Sequence, residues 1–444
     1  MKKSSNVRIT TAVSAFILVA GLMLLPAASK GLAISMTTTA PTNTPQIASL
    51  MNPSPQSAQN GMRLVMDSGA FTPITMATAE LMASKGHTLH KVTLVADEKT
   101  LTLPQGNVIH ALTFNGTVPA PIIRVTQGDI INVTMANLPN NTLPHSLDMH
   151  ASIVSAVPNF GPVNPGYERS YAFIATQPGF FKYHCEGVAV LTMDQHVFSG
   201  MVGGVIVDPA NGYTGYKYTT YSANGSKITE NVSPNAKEVA LIFSEWYLTK
   251  NGQYNQTAMF NHDPTFVWMN GIPFGYDPVV TKTKGAMPLH FKQGDHVRFF
   301  LLNEGDVMVN FHIVGEQLDR VISGQVLQGL GKQTYLLGGS NDAIIDVVFN
   351  TPGAFAPVNH DYASLFKGQA AIVVVDGPNG QPGKTLGLKN YDNPSNAIPP
   401  MGKNSIPVQT TPYTLGTPLK LAKLPSTMKA CKPASAGAAA EMCP

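Results

Sequence analysis

Between Phe181 and Met201 the chain reads FKYHCEGVAVLTMDQHVFSGM, which holds His184, Cys185, His196 and Met201. All four are soft or borderline metal ligands, and two of them are adjacent. Neighbouring side chains on a strand point to opposite faces. His184 and Cys185 therefore cannot easily serve one ion, but they can serve two, joined by a single peptide unit. Cys185, His196 and Met201 lack one imidazole of a blue-copper set, in which two His and a Cys thiolate form a plane beneath a weak axial Met. An earlier strand should supply it, and His145 in LPHSLDMH is the natural candidate. Thiolate and thioether together favour copper over Mg or Ca, and the axial Met argues against structural zinc.

The same LPHSLDMH stretch carries Asp148 and His150, two residues apart and so on one strand face. His145 lies at an odd spacing from both, so it can turn toward the other ion. His150 and His184 make only part of a second site, and a third ligand must come from elsewhere. FHIVGEQLD offers His312 and VNHDYASLF offers His360. One of these could complete the site while the other sits above it. The other six histidines, at 87, 90, 110, 262, 290 and 296, belong to no such grouping.

Short strands must position these residues. Gly and Pro number 39 and 34, and charged residues are only 12 % of the 444, a balance that favours strands and turns over helices. VTQGDIINVTMAN (125–137) returns as FKQGDHVRFFLLN (291–303), 166 residues later. PGFFKYH (178–184) is echoed by PGAFAPVNH (352–360), and FSGMVGGVIVD (198–208) by FKGQAAIVVVD (366–376). Each copy alternates apolar and polar residues in short runs broken by Gly, Pro and Asn. Two tandem β-sandwich domains are expected, at 87–210 and 235–378. The copies differ at the chemistry. Met201 falls opposite Gln369, His196 opposite Ser364 and Cys185 near His360, so the Cys-containing site belongs to the first copy alone.

The ends read differently. Lys2, Lys3 and Arg8 precede the apolar run TTAVSAFILVAGLMLLPAA, the pattern of a signal peptide over 1–29 or, uncleaved, of a membrane anchor. Residues 30–86 are rich in Thr, Pro, Ser and Asn and read as a flexible linker, and 379–444 as a C-terminal extension carrying Cys431 and Cys443. With one Cys in the folded region there is no disulfide framework there. The chain is expected outside the cytoplasm, in the periplasm or on the outer face of the cytoplasmic membrane. A net charge of +3 without a long basic run gives no nucleic-acid footprint.

In these residues the chain resembles the copper-containing nitrite reductases over about residues 87–378, including the FNGTVPAPIIR segment. The resemblance implies two Greek-key cupredoxin domains and one copper of each type, 1 and 2, per subunit. It makes His145, Cys185, His196 and Met201 the type 1 ligands, and His150, His184 and His360 the type 2 ligands. Asp148 and His312 would be the catalytic acid/base pair. It further implies a homotrimer with the type 2 site between subunits, a small redox protein as electron donor, and reduction of nitrite to nitric oxide, a step of denitrification. Three features depart from the family. EGVAVLTMDQ between Cys185 and His196 is about two residues longer than expected for it and lacks its Pro and Trp, Val314 stands where Ile is usual, and the long linker and C-terminal tail have no counterpart in its shortest members. Two other functions compete. A two-domain multicopper oxidase would need H-x-H pairs that are here D-M-H and Y-H-C-E. The other is a copper redox protein with a shifted role, either electron transfer, which would need neither Asp148 nor His312, or oxidation of a small nitrogen compound at the same copper, for which the altered loop and Val314 leave room.

Overall fold

The computed structural model describes residues 74–380, apart from 188–191, 223, 280 and 282. The chain begins with helix α1 (Met76–Ser84), capped by the Thr75 hydroxyl, which accepts from the Thr78 amide. The segment assigned to a linker by composition thus ends in a helix. Ala79 and Met82 pack against Ile130, Ala172 and Ile174, giving its one apolar face a partner. The rest of the linker, the leader and the C-terminal extension lie outside the described residues. Among those residues no helix is long and apolar enough to cross a membrane.

Eight strands follow: β1 (Leu89–Thr102), β2 (Val108–Phe114), β3 (Ile123–Thr126), β4 (Ile130–Asn137), β5 (Asp148–Met149), β6 (Glu168–Ile174), β7 (Gly179–His184) and β8 (Val202–Asp208). Helix α2 (Ala156–Asn159) precedes β6 and helix α3 (Met193–Phe198) precedes β8. The strands form two four-stranded sheets, ordered β2-β1-β4-β6 and β3-β8-β7-β5. Non-sequential neighbours of this kind are the mark of Greek-key sandwiches. Between the sheets lies a core that includes Ile131, Val133, Met135, Phe173, Tyr183 and Val205.

A hairpin of β9 (Tyr216–Tyr221) and β10 (Lys227–Val232) connects to the second sandwich. There β11 (Lys237–Trp246), β12 (Phe266–Met269), β13 (Leu289–Lys292), β14 (His296–Asn303), β15 (Val309–Val314), β16 (Leu318–Ser323), β17 (Val326–Lys332), β18 (Thr334–Leu337), β19 (Asp342–Val348), β20 (Gly353–Asn359) and β21 (Val373–Asp376) make a six-stranded and a five-stranded sheet. Helix α4 (Gln256–Phe260) precedes β12, and helix α5 (Tyr362–Lys367) lies between β20 and β21. The fold is all-β, two tandem cupredoxin-like sandwiches.

The duplication is geometric as well as sequential. β4 and β14 begin and end 166 residues apart, and each pairs in parallel with the opening strand of its sandwich. Alternation along β14 explains its unbroken apolar run. Phe299 and Leu301 enter the second sandwich, while Phe300 and Leu302 face outward into a third core shared with Phe180, Val202 and Ile206 of the first. A strand buried on both faces needs no polar positions.

Hydrogen bonds fix the equivalences between copies. The Cys185 amide donates to the Met201 carbonyl, and the Asn359 amide to that of Gln369. The Ser146 amide meets Cys185 Sγ, and the Asn310 amide meets Asn359 Oδ1. The counterpart of Cys185 is therefore Asn359, one residue before His360. Asn359 Nδ2 donates to Gln369 Oε1 at 2.8 Å, so an amide pair fills the place of the Cys and Met. His312 pairs with Val358 across β15 and β20 as Asp148 pairs with His184 across β5 and β7. The counterpart of His312 is therefore Asp148. The connecting loop is two residues shorter in the second copy, so strand register, not loop length, carries the equivalence.

Candidate metal centres

β7 ends at His184, and the backbone stays extended enough there to send His184 and Cys185 in opposite directions. Cys185 is fully buried, as are His145 and Met201, and His196 is 2 % exposed. Cys185 Sγ lies 3.2 Å from His196 Nδ1 and 3.9 Å from His145 Nδ1, and the two Nδ1 atoms are 3.1 Å apart. Helix α3 delivers His196, and Gly200 turns the chain back so that the Met201 amide reaches the His196 carbonyl. Gly200 has a φ of 114°, and a Cβ there would stand 2.6 Å from Val118 Cγ2. Met201 packs in the same core as Cys185.

The amides of Ser146 and Gly187 both approach Cys185 Sγ at 3.2 Å. Burial pushes the thiol up, yet hydrogen bonds and charge from His145 and His196 outweigh it and bring Cys185 down to about 5. Burial lowers His145, and its bonds to Cys185 and Glu98 more than reverse this, for a net rise.

His184 turns to the other face. Its Nδ1 lies 3.2 Å from the Cys185 carbonyl. A carbonyl only accepts, so Nδ1 carries the proton and Nε2 is left for a metal. That Nε2 is 3.2 Å from His150 Nε2, and Asp148 Oδ2 lies 3.6 Å from each. Burial and the nearby Lys182 charge hold His150 down at about 4, and the same causes keep His184 well below the usual imidazole range. Both rings are therefore neutral and able to ligate at neutral pH. Burial pushes Asp148 up to about 7, helped by the Glu186 carboxylate and opposed by Lys182. Glu186, absent from the sequence-based site, also shares a hydrogen bond with Asp148.

Both cups fit a metal. Two ligand nitrogens each about 2.0–2.1 Å from one first-row ion, at a roughly tetrahedral angle, stand about 3.3 Å apart. The facing nitrogens at 3.1 and 3.2 Å match that spacing, and without a cation or proton between them they would repel. A buried thiolate with two imidazoles is a soft set suited to copper. Among the described residues these are the two groups of three or more close His, Cys or carboxylate donors.

His312 and His360 lie apart from both cups. Their rings pair with each other, centroids 5.3 Å apart, and neither joins the His150–His184 group. His312 Nδ1 donates to the Gln333 carbonyl at 2.6 Å, which leaves its Nε2 unbound. Around the pair Met308, Val314, Leu336 and Tyr362 are exposed. Four other histidines, 90, 262, 290 and 296, each pair with one carboxylate.

One further residue was missed by the sequence reading. Glu98 Oε1 sits 3.2 Å from His145 Nε2 and also accepts from the Thr142 and Leu143 amides at 2.9 and 2.8 Å. Burial raises this carboxyl, but bonds from His145, Thr142 and Leu143 overturn that and hold it at about 2.

Fold and donor sets together define a two-domain copper protein built on duplicated cupredoxin sandwiches. Comparison with known proteins agrees. Residues 96–212 match the family model described as multicopper oxidase. The copper-containing nitrite reductase of Neisseria meningitidis serogroup B is 29 % identical over 293 residues, 65 % of this chain and 69 % of the relative. That of Alcaligenes faecalis is 27 % identical, covering 67 % of this chain and 78 % of the relative. The copper nitrite reductase structure from Nitrosomonas europaea is 31 % identical, with a TM-score of 0.57, and 99 % of it is covered by 68 % of this chain. The chain belongs to the copper-containing nitrite reductase family.

Proposed function

We propose that the protein reduces nitrite to nitric oxide: nitrite, one electron and two protons give nitric oxide and water. His145, Cys185, His196 and Met201 would hold a type 1 copper that receives the electron from a small redox protein. His150 and His184 would hold a type 2 copper with His360 of a neighbouring subunit. Copper, when bound, supplies one-electron transfer and a Lewis-acidic position for nitrite oxygens. The observation that carries the proposal is the shared strand end: His184 and Cys185, joined by one peptide bond, face two different donor sets.

The chain's own groups account for the rest. The His184–Cys185 backbone is a covalent path between the cups. Asp148, 3.6 Å from both Nε2 atoms and raised toward neutrality by burial, can hydrogen-bond an anion there and give it a proton. His312, its Nδ1 tied to the Gln333 carbonyl, offers Nε2 as a second proton carrier. The separation of the His312–His360 pair from His150 and His184 supports a subunit interface that joins them, in a homotrimer. The basic and apolar N-terminus supports export to the periplasm or to the outer face of the cytoplasmic membrane.

The test is anaerobic nitric oxide release from nitrite by copper-loaded protein with a reduced artificial donor. Release is expected. Protein with both coppers bound and no release would sink the assignment and leave a copper redox role of another kind.

A further inference from the structure

We infer that Glu98 is a positioning residue of the first copper centre: it fixes the tautomer of His145 and ties the turn carrying that ligand to strand β1. This rests on the type 1 copper reading above. One carboxylate here accepts four hydrogen bonds. Oε1 takes the Thr142 amide, the Leu143 amide and His145 Nε2, and Oε2 takes the Thr142 hydroxyl at 2.7 Å. Glu98 is itself held, since its amide donates to Asn141 Oδ1 at 3.1 Å. Asn141 in turn donates to the Ala96 carbonyl and to Asn137 Oδ1.

The chemistry follows from what each group can do. A carboxylate only accepts, so the proton of the neutral imidazole must sit on Nε2. Nδ1 then keeps its lone pair, and Nδ1 is the atom that faces Cys185 and His196. An anion bonded to the far side of the ring raises the ligand's basicity and favours the more positively charged, oxidised metal. The same oxygens cap the two amides of the turn that leads into His145, so ring and backbone are oriented together. A neutral amide with its oxygen at the Oε1 position could still accept from the two amides and His145 Nε2, but it carries no charge to raise the basicity of the ring.

Glu98→Gln and Glu98→Ala, with Thr142→Val as a control, would be loaded with copper beside the parent chain. Readouts are copper affinity, the visible thiolate-to-copper band, the reduction potential and thermal stability. Glu98→Gln should keep the band and shift the potential upward. Glu98→Ala should also weaken copper at this centre by about 10–100-fold. Thr142→Val removes one hydrogen bond and no charge, so its potential should stay at the parent value even if stability falls. Glu98 variants that lose only stability, with band and potential unchanged, would overturn the inference and leave a turn-capping role. A parent chain that binds copper without the band would overturn the type 1 reading first, and is seen before any variant is compared.

Discussion

Cys185 and His184 are consecutive residues whose donor atoms never meet the same partners: Sγ faces His145 and His196, while Nε2 faces His150 and Asp148. Because each cup has its own donors, the two can be emptied separately. Cys185→Ser should abolish the thiolate-to-copper band and lower electron entry, yet leave copper bound at the second centre. Copper per chain should fall by half as the visible band vanishes. A variant that lost both metals would show that the cups fold as one unit.

Asp148 gives the pH behaviour. Its carboxyl is raised to about 7 against an ordinary 3.8, so it is protonated below neutrality and charged above. If it donates the proton, turnover falls as pH rises through about 7, where the acid form is lost. Asp148→Asn can bind but cannot donate. It should cost about 10²-fold or more in turnover, with both coppers retained and the alkaline limb flattened. An Asn variant with the same profile as its parent would remove Asp148 from the proton path.

Much of this was legible before folding, for identifiable reasons. The opposed directions of His184 and Cys185 follow from strand alternation alone, and the second copy of the repeat told which ligands it had lost. What the sequence concealed depended on contacts between distant segments. Glu98 is an ordinary charged residue on a strand, 47 positions from His145, and acquires its role only when β1 closes on the turn at 142–145. Helix α1 has no acidic residue in its first turn and no basic residue in its last, so its ends were unmarked and composition read it as linker.

The proposed division of the second centre between subunits predicts complementation. His184→Ala and His360→Ala should each be inactive alone, with the first copper intact. Co-expressed in equal amounts, they would form mixed assemblies of the proposed trimer, in which a site is complete when an intact His184 meets an intact His360. Two even chances give about one quarter of the sites. Recovery of that order in nitric oxide release would place the ligands on different chains. No recovery from verified mixed trimers would put both on one chain.

Stability should carry its own pH signature, from the join between the sandwiches. Glu304 is fully buried, and its nearest cation is Lys182 Nζ at 3.8 Å. Burial drives this carboxyl up from 4.5 to about 8, and the Lys182 charge offsets only part of that. The folded chain thus holds the proton more tightly than the unfolded one. The associated stability is fully present below about 4.5 and is lost as pH rises through about 8. Glu304→Gln keeps the shape and cannot ionise, so it escapes the loss. Thermal unfolding of parent and variant should nearly coincide at pH 5, and the variant should be the more stable at pH 9. A gap that stayed constant with pH would mean that Glu304 keeps one charge state throughout, held ionised by Lys182.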